Sequence, residues 1–429
     1  MISQRNNAGI ATITLILLGL GVLAGGGYLF LQNLQAQLLA KITGCQLESK
    51  NFHETIDFEY INDWIVVKAK IGDSDKEYPF IFDTGAQTVL LDSLLDDIGA
   101  ENYQSFSSGT RNDTSDHAFN NEILSLKSLK LGNVRFSDVG SISAINSKWE
   151  MLNCVSPYGV IGYNLLQTMS IRIDYTNQKI TLTDNVANLE NSDEIHWVNY
   201  KPLSTQESPI VQVVINNDIK AELLFDTGLS AGVKLVSDSL FNLIGDQNSN
   251  KIIRYSSRPS LHIRGEKHDI EAGILFQASS LLIGDLLSKD LEIVVKNGAE
   301  REYDGLLGNR YLENFIITLD YENRRIGFLG NHTKSTQRES FGLSYLAQAD
   351  KIAVSSVYHG SEPDLVGIRP GDEIYSINGI VISELPAQRF CESYRGEHHF
   401  EAPEDSTLQI GIFENDSLVT YTFTKQKLL

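Results

Sequence analysis

FIFDTGA at residues 80–86 and LLFDTGL at residues 223–229 are two copies of one pattern, in which three apolar residues run into Asp-Thr-Gly. Short apolar runs of this kind are typical of buried strands. A given tripeptide is expected roughly 0.1 times by chance in a chain of 429 residues. One copy would mean little, but two copies after matched strands indicate an internal repeat.

A second pair of matched segments lies downstream of the two Asp-Thr-Gly copies. Residues 159–180 begin with GVIG and residues 305–326 begin with GLLG, and eight of these 22 aligned positions are identical. The distance from the aspartate to the first glycine also agrees, at 76 residues in the first copy and 79 in the second. The pattern predicts a duplication into two small β-rich lobes, residues 56–190 and 195–330.

Asp-Thr-Gly on its own is usually a strand end followed by a turn, because Asp favours turns and Gly tolerates positive φ. The Gly-apolar-apolar-Gly segment changes that interpretation. A strand bracketed by glycines can pass very close behind another backbone, since no Cβ intervenes. We therefore expect each turn to be held rigidly, with the carboxylates of Asp83 and Asp226 directed at one another.

These motifs resemble those of the aspartic proteases, and specifically of the retropepsin-like branch. That family reads apolar-apolar-Asp-Thr-Gly-Ala, followed later by an apolar-Gly-x-Asn/Asp block. The first lobe matches at residues 82–86 and 160–164, and the second at 225–228 and 306–310, with Leu229 in place of the alanine. The resemblance covers roughly residues 56–332. The tandem looks like a single-chain pseudodimer, closer in arrangement to pepsin than to the two-chain retroviral enzymes.

The resemblance implies a mainly β fold of two retropepsin-like lobes that hydrolyse polypeptide substrates without a metal or an organic cofactor. Asp83 and Asp226 would be the catalytic pair, and because like charges cannot both ionise easily, the pair would hold one proton. The ionised member takes a proton from water, and the protonated member polarises the peptide carbonyl. Hydroxyl-to-backbone hydrogen bonds of the threonines would interlock the two turns, whose supporting residues are Thr84, Gly85, Thr227 and Gly228.

The residues that follow the two turns depart from those of pepsin-like enzymes, which have Ser or Thr there. Ala86 and Leu229 have no hydroxyl group with which to stabilise the charged pair. We therefore expect a carboxyl pair that is less acidic than pepsin's, with activity that persists toward neutral pH.

Such an enzyme also needs a hairpin flap over its substrate. The polar residues 103–121 lie at a suitable distance after Asp83, and their counterpart is the segment 251–273. An ordinary surface loop is an equally good interpretation of either segment. Asp174 and Asp320 recur in the repeat, but Asp-Tyr-x-Asn before Lys or Arg predicts a hairpin turn and a structural role.

The C-terminal residues 340–429 carry a different set of motifs. FGLSY at 341–345, GSEPDL at 360–365 and GIRPGDEIYSING at 367–379 occur in an order that resembles a PDZ domain. Such domains add an extended peptide to a sheet edge and bind its terminal carboxylate with the amides of the Gly-Leu loop. The alternative is a PDZ domain that only packs against the protease lobes. The peptide-binding loop would comprise Gly342, Leu343, Ser344 and Tyr345.

The N-terminal residues 1–33 contain an uncharged apolar run, AGIATITLILLGLGVLAGGGYLFL, at residues 8–31. As a helix these residues would span roughly 36 Å, enough for a hydrocarbon core of ~30 Å. A cleaved signal peptide is the alternative, but its apolar region is usually shorter. The pattern favours a transmembrane anchor followed by a linker at residues 34–55. The positive-inside rule mildly favours a cytoplasmic N-terminus, with the body on the periplasmic or extracellular side.

The composition excludes other classes of function. The chain has 35 Lys+Arg against 55 Asp+Glu, a net charge of −20, which argues against nucleic-acid binding. Cys45, Cys154 and Cys391 form no CxxC pair, so neither a disulfide framework nor a structural zinc site is predicted. The nine histidines include no HExxH spacing, and His398 with His399 is interpreted as a solvated pair.

The sequence therefore predicts a membrane-anchored, mainly β aspartic endopeptidase whose PDZ domain binds a substrate or a regulatory peptide. A rival from another class is a PDZ-bearing scaffold whose protease-like lobes no longer cut. Two intact Asp-Thr-Gly turns disfavour this rival, since a scaffold need not keep either carboxylate. A second rival retains the chemistry but pairs lobes from different chains.

Overall fold

The computed structural model describes residues 43–112, 118–146, 150–189, 194–246, 251–258, 270–299, 301–330, 339–347, 350–400 and 404–427. Within these ranges the chain is mainly β, which confirms the predicted fold class at that level. None of the helices in these ranges is long and apolar enough to cross a bilayer. The predicted anchor at residues 8–31 lies outside the described residues.

The first lobe consists of strands joined by short turns. Its central strand WIVVKAKI buries Ile65, Val67, Ala69 and Ile71, as the period-two geometry of a strand requires. In chain order the elements are β1 (Gln46–Leu47), β2 (His53–Ile61), β3 (Trp64–Ile71), β4 (Glu77–Phe82), β5 (Val89–Leu91), α1 (Asp92–Ile98), a 3₁₀ turn (Ala100–Asn102), β6 (Tyr103–Asn112), β7 (Ala118–Leu131), β8 (Val134–Ala144), a 3₁₀ turn (Glu150–Cys154), β9 (Gly159–Ile161), α2 (Tyr163–Leu166), β10 (Ser170–Asp174), β11 (Lys179–Thr183) and a 3₁₀ turn (Val186–Asn188).

The second lobe repeats this order of elements. Its longest helix, DSLFNLIG, begins after Ser237, whose hydroxyl accepts a hydrogen bond from the amide of Leu240 and so caps the first turn. In chain order the elements are β12 (His196–Asn199), β13 (Lys201–Pro202), β14 (Pro209–Ile215), β15 (Ile219–Phe225), β16 (Val233–Val236), α3 (Asp238–Gly245), β17 (Ile252–Ser257), β18 (Glu271–Ile283), β19 (Leu286–Lys296), β20 (Gly305–Leu307), α4 (Asn309–Leu312), β21 (Ile316–Asp320) and β22 (Arg325–Leu329).

The C-terminal unit combines short strands with two helices. In chain order its elements are β23 (Glu339–Ser340), β24 (Leu343–Ala347), β25 (Ile352–Tyr358), α5 (Glu362–Leu365), β26 (Glu373–Ile374), β27 (Ser376–Ile377), β28 (Ile380–Val381), a 3₁₀ turn (Ile382–Glu384), α6 (Ala387–Tyr394), β29 (Thr407–Glu414), β30 (Ser417–Thr424) and β31 (Gln426–Lys427).

The two lobes share a sheet of 14 strands, whose main path is β12-β22-β21-β10-β11-β2-β3-β4-β9-β5-β8-β7-β6. The lobes meet at the antiparallel pairing of β10 with β21, in which Ile171 faces Leu319 and Ile173 faces Ile317. These strands are equivalent segments of the repeat. The lobes are therefore related by an approximate twofold axis. Each lobe contributes one Asp-Thr-Gly turn, and the two turns lie on opposite sides of that axis.

A second sheet of 11 strands continues from the second lobe into the C-terminal unit. The junction is the antiparallel pairing of β17 with β25, where Tyr255 faces Tyr358 and Ser257 faces Ser356. Strand β24 forms the end of this sheet. Backbone hydrogen bonds between strands thus join the C-terminal unit to the second lobe.

Two apolar cores hold these parts together. The larger runs through both lobes and contains fully buried aromatic residues such as Phe80, Phe82 and Phe225. The smaller joins one face of the first lobe, including Ile81 and Val160, to the interior of the C-terminal unit. Burial of this shared apolar surface fixes the C-terminal unit against the first lobe.

Cys154 and Cys391 form a disulfide, with their Cα atoms 5.1 Å apart. The cysteine spacing predicted no disulfide framework, and it gave no sign of this single bond. The two residues are 237 positions apart, and only the folded chain brings the 3₁₀ turn of the first lobe against α6 of the C-terminal unit. Cys45 has a free thiol, and burial raises its pKa to about 12, so it is a poor nucleophile.

Candidate active site

Each Asp-Thr-Gly turn begins where a buried strand ends beside the Gly-apolar-apolar-Gly strand of the same lobe. β4 pairs in parallel with β9, and β15 pairs in parallel with β20. The amide of Asp83 donates to the carbonyl of Ile161 at 3.0 Å, and the amide of Asp226 donates to that of Leu307 at 3.0 Å. Both aspartates are therefore fixed by equivalent backbone hydrogen bonds.

The glycines that bracket β9 and β20 lie where two backbones cross. A Cβ on Gly162 would be 2.3 Å from the carbonyl oxygen of Ala86, and a Cβ on Gly308 would be 2.5 Å from that of Ala231. Any side chain would push these backbones apart. This confirms the prediction that the glycines allow a close passage behind the turns.

Reciprocal hydrogen bonds interlock the two turns. The hydroxyl of Thr84 donates to the carbonyl of Phe225 at 2.9 Å, and the hydroxyl of Thr227 donates to that of Phe82 at 2.8 Å. Each hydroxyl also accepts the amide of the opposite threonine, at 3.1 and 3.0 Å. Both threonines are fully buried, so these bonds are shielded from water.

The glycine of each turn lies against the carboxyl group of the other lobe. A Cβ on Gly85 would be 2.6 Å from Oδ1 of Asp226, and a Cβ on Gly228 would be 2.1 Å from Oδ2 of Asp83. Only glycine leaves room for the carboxyl groups at these positions. The structure therefore brings Asp83 and Asp226 together at the interface of the lobes, within one chain.

The two carboxyl groups are electrostatically unequal. Burial raises the pKa of Asp83, and burial together with the charge of Asp83 raises the pKa of Asp226 well above its usual range. Oδ1 of Asp83 accepts the amides of Gly85 at 2.7 Å and Ala86 at 3.0 Å, whereas Oδ1 of Asp226 accepts that of Gly228 at 2.9 Å. The additional amide donor favours the negative charge on Asp83 and the shared proton on Asp226.

Two buried asparagines support the turns in different ways, and the sequence did not single them out as site residues. Oδ1 of Asn164 accepts both the amide and the hydroxyl of Thr88, at 3.1 and 2.7 Å, within the first lobe. Nδ2 of Asn309 instead donates to the carbonyl of Thr227 at 2.7 Å and to that of Asp63 at 2.8 Å, which lies in the first lobe. Asn309 thus connects the second turn to the β2–β3 hairpin.

Further support comes from the start of the second lobe. The hydroxyl of Ser208 donates to the carbonyl of Thr84 at 2.6 Å, and Nε2 of Gln206 donates to that of Gly85 at 2.9 Å. Neither residue belongs to a motif, so no sequence signal marks them. Their contacts hold the first turn from the side of the second lobe.

Both segments considered as flaps form hairpins in the structure. β6 pairs with β7 from Tyr103 to Asn112, while the tip at residues 113–117 lies outside the described residues. β17 pairs with β18, and residues 259–269 likewise lie outside them. The second hairpin is attached to the C-terminal unit through β25, whereas the first has no such partner among the described residues.

The recurring aspartates occupy hairpin turns. Asp174 accepts the amide of Asn177 at 3.0 Å, and Asp320 accepts that of Asn323 at 3.1 Å. Asp320 is also fully buried and pairs with Arg325 at 2.7 Å. These contacts confirm a structural role for both residues.

The C-terminal unit carries a groove of about 500 Å³ between β24 and α6. Leu343, Ser344 and Tyr345 line it, but Gly342 does not: its amide donates to the hydroxyl of Ser340 at 3.1 Å. The opposite side is formed by the end of α6 and the segment after it, including His398 and His399. His398 is half-buried and packs edge-on against Phe400, so the two histidines border the groove rather than form a fully solvated pair.

Asn62 of the first lobe also lines this groove. Its Nδ2 donates to the carbonyl of Tyr394, the last residue of α6, at 2.7 Å. The neighbouring residue Asp63 accepts the hydrogen bond of Asn309 described above. One hairpin turn therefore contacts both the groove and the support of the second Asp-Thr-Gly turn.

Comparison with known proteins agrees with this arrangement. Residues 67–165 match the family model of aspartyl proteases, and residues 319–396 match that of PDZ domains. The first match runs from within β3 to within α2, and the second begins within β21. These matches confirm the resemblance to an aspartyl protease with a PDZ domain.

The described residues contain no group of three or more His, Cys, Asp or Glu side chains suited to a metal ion.

Two solved structures are among those similar to this chain. Basic 7S globulin from soybean is 10% identical, with a TM-score of 0.38, covering 65% of this chain and 94% of the globulin. The aspartic proteinase from Irpex lacteus is 13% identical, with a TM-score of 0.40, covering 66% of this chain and 99% of the proteinase. No curated protein matches the chain.

Proposed function

We propose that the chain is an aspartic endopeptidase in which Asp83 and Asp226 activate water for hydrolysis of peptide bonds. The observation that carries the proposal is the meeting of two equivalent carboxyl groups, each against the glycine of the opposite turn. Thr84 and Thr227 hold them there through reciprocal hydrogen bonds. A scaffold protein has no need of this costly burial of two acidic groups.

The asymmetry of the pair suggests the role of each carboxyl group. The ionised carboxylate of Asp83 takes a proton from water as the water oxygen attacks the peptide carbonyl carbon. Asp226 donates its proton to the carbonyl oxygen, giving a neutral tetrahedral intermediate. Collapse of the intermediate breaks the C–N bond, as Asp83 passes its proton to the leaving nitrogen and Asp226 recovers one from the hydroxyl.

The C-terminal groove is the proposed site for an extended peptide, either a substrate segment or a regulatory peptide. β24 lies at the end of its sheet among the described strands, and an added strand could pair with it there. The disulfide and the β17–β25 pairing hold this groove in a fixed position relative to the lobes. Deletion of residues 340–429 should therefore alter cleavage of protein substrates, and unchanged cleavage would contradict this role.

We also propose that residues 1–33 anchor the protein in a membrane and that its body lies outside the cytoplasm. The Cys154–Cys391 disulfide supports this location, because disulfides persist mainly in oxidising compartments. A test is to label cysteines in intact and in permeabilised cells after reduction. Labelling that requires permeabilisation would contradict the proposed orientation.

The test of the enzymatic proposal compares the full-length protein with Asp83→Asn and Asp226→Asn on unfolded protein substrates between about pH 3 and 8. We expect cleavage by the wild type and a loss of about 10³-fold or more in each variant. Mixing the two variants should restore nothing, because both turns come from one chain. Absence of wild-type cleavage would favour the scaffold, and rescue on mixing would favour pairing between chains.

A pH profile tests the consequence of Ala86. Its amide donates to Asp83, but its side chain offers no hydroxyl to the charged pair. Activity should fall only as pH rises through the raised pKa of the pair, so it should extend toward neutral pH. Ala86→Ser should lower the pH at which activity falls by about half a pH unit, since a hydroxyl donor favours the ionised form of the pair. A wild-type profile confined below about pH 3 would contradict the prediction.

A further inference from the structure

The sheet face beside Asp226 carries a lysine, Lys234 of β16. Leu224 of β15 pairs with Leu306 of β20, and Leu306 in turn pairs with Lys234. Cross-strand partners point to the same face of a sheet, so the three side chains form one row. Leu224 stands two residues before Asp226 on the same strand path, and the row therefore lies next to the proposed catalytic pair.

The equivalent row in the first lobe is entirely apolar. Ile81 of β4 pairs with Val160 of β9, and Val160 pairs with Val89 of β5. The repeat therefore aligns Lys234 with Val89. An apolar residue satisfies packing at this position in one lobe, so a lysine at the same position in the other indicates a role beyond packing.

The ammonium group of Lys234 is poorly compensated. The residue is only partly exposed, and burial lowers the pKa of its ammonium group. In the part of the chain that the structure describes, no carboxylate lies within ion-pair distance of it, and nearby Glu271 is paired with Lys296 at 3.2 Å. Its charge still lowers the pKa of Asp226, in keeping with a separation of two strands or about 10 Å.

We propose that Lys234 is a specificity-determining residue that binds an acidic side chain of the substrate, on the side of the scissile bond that contacts the second lobe. This inference rests on the proposed protease function and states which polypeptides that function selects. A Glu or Asp carboxylate over this row would neutralise a partly desolvated ammonium group, whereas Lys or Arg would be repelled.

The test measures kcat/KM of the full-length protein on peptides that carry Glu, Gln or Lys at each position within three residues of a scissile bond. At one position we expect Glu to exceed Gln by about tenfold, with Lys lower still. Lys234→Val, which installs the residue of the first lobe, should bring the Glu/Gln ratio to about one, and Lys234→Glu should reverse the order. Any effect of Lys234 on the pKa of the carboxyl pair cancels in the Glu/Gln ratio, because each variant cleaves all peptides with the same carboxyl pair.

Lys220→Val is the matched control. Lys220 lies on β15, as Leu224 does, but its side chain is exposed. It should leave the Glu/Gln ratio unchanged. Fluorescence anisotropy of the same peptides on the Asp226→Asn variant gives the comparison without cleavage. A wild-type ratio near one at every position, or a preference for Glu that survives Lys234→Val, would overturn the inference. Glu-selective binding without any wild-type cleavage would instead count against the protease function.

Discussion

At the residue scale, Gly85 and Gly228 leave space for the opposite carboxyl group, which no other residue could do at these positions. Each lies so close to the opposite carboxyl group that even a methyl group would overlap it. Their importance does not come from backbone freedom, since neither has a positive φ. It comes from the space that the two acidic groups need in order to share a proton.

Gly228→Ala should therefore strongly reduce activity without unfolding the lobe. The new Cβ would be 2.1 Å from Oδ2 of Asp83, and displacing a reacting group by ~1 Å costs about 100-fold in rate. Gly232→Ala is the control, because a Cβ there meets nothing nearer than 3.9 Å. We expect kcat/KM to fall by about 100-fold or more in the first variant only. Equal activity of the two would contradict the close packing of the carboxyl pair.

Asp226→Asn should stabilise the protein at neutral pH although it removes activity. The pKa of Asp226 is raised in the folded state, so between about pH 4 and that pKa unfolding releases a proton, and stability falls as pH rises. An asparagine removes this penalty, which is about 1.4 kcal/mol for each unit by which the pKa is raised. Melting temperatures of both proteins at pH 4 and 7 provide the measurement. A wild type that gains stability over this range relative to Asp226→Asn would contradict the raised pKa.

At the scale of elements, the short helix α4 connects the lobes through its first residue. Asn309 is fully buried, and besides its two donated hydrogen bonds it accepts one from the hydroxyl of Tyr175 at 2.8 Å. Tyr175 belongs to the first lobe, as does Asp63. The side chain therefore fills a polar position at the interface where three partners depend on it.

Asn309→Ala should destabilise the lobe interface by about 2–4 kcal/mol, because it leaves buried partners without hydrogen bonds. Arg310→Ala is the neighbouring control. Its guanidinium pairs with Asp63 at the surface and is half-exposed, and such pairs contribute about 0–1 kcal/mol. Urea denaturation of the two variants gives the comparison. A loss of less than 1 kcal/mol for Asn309→Ala would show that water replaces the lost partners.

The elements that the sequence predicted are those whose requirements are local. The Asp-Thr-Gly turns and the glycine-bracketed strands need particular residues at particular positions, so the repeat makes them visible. The β17–β25 pairing depends on backbone groups that every residue possesses, and it therefore leaves no mark on the sequence. Asn309 was visible as part of a motif, but its reach into the first lobe depends on the placement of the β2–β3 hairpin.

At the scale of the whole molecule, the C-terminal unit is attached to both lobes. A disulfide and the hydrogen bond of Asn62 bind it to the first lobe, and a continuous sheet binds it to the second. The sequence predicted the unit and its place in the chain. It did not predict this attachment, because Cys154 and Cys391 acquire their relation only through the fold.

Cys391→Ser should loosen the C-terminal unit from the first lobe while the sheet still holds it to the second. Closing so long a loop contributes about 5.5 kcal/mol in the chain-entropy model. We expect a lower melting temperature and faster amide exchange in α6, with little change in β25. Cys45→Ser is the control, because its thiol is free. Unchanged exchange in α6 would mean that the apolar contacts alone suffice.

The same disulfide makes a covalent ring of everything between Cys154 and Cys391, and the whole second lobe lies within that ring. A single backbone cut inside the ring, by this protein on itself or by another protease, would release no fragment. The two pieces would migrate together on an electrophoresis gel until a reducing agent was added. One such cut changes the mass of the oxidised protein only by one added water. A matched pair of gels with and without reductant would therefore reveal processing that this mass nearly conceals.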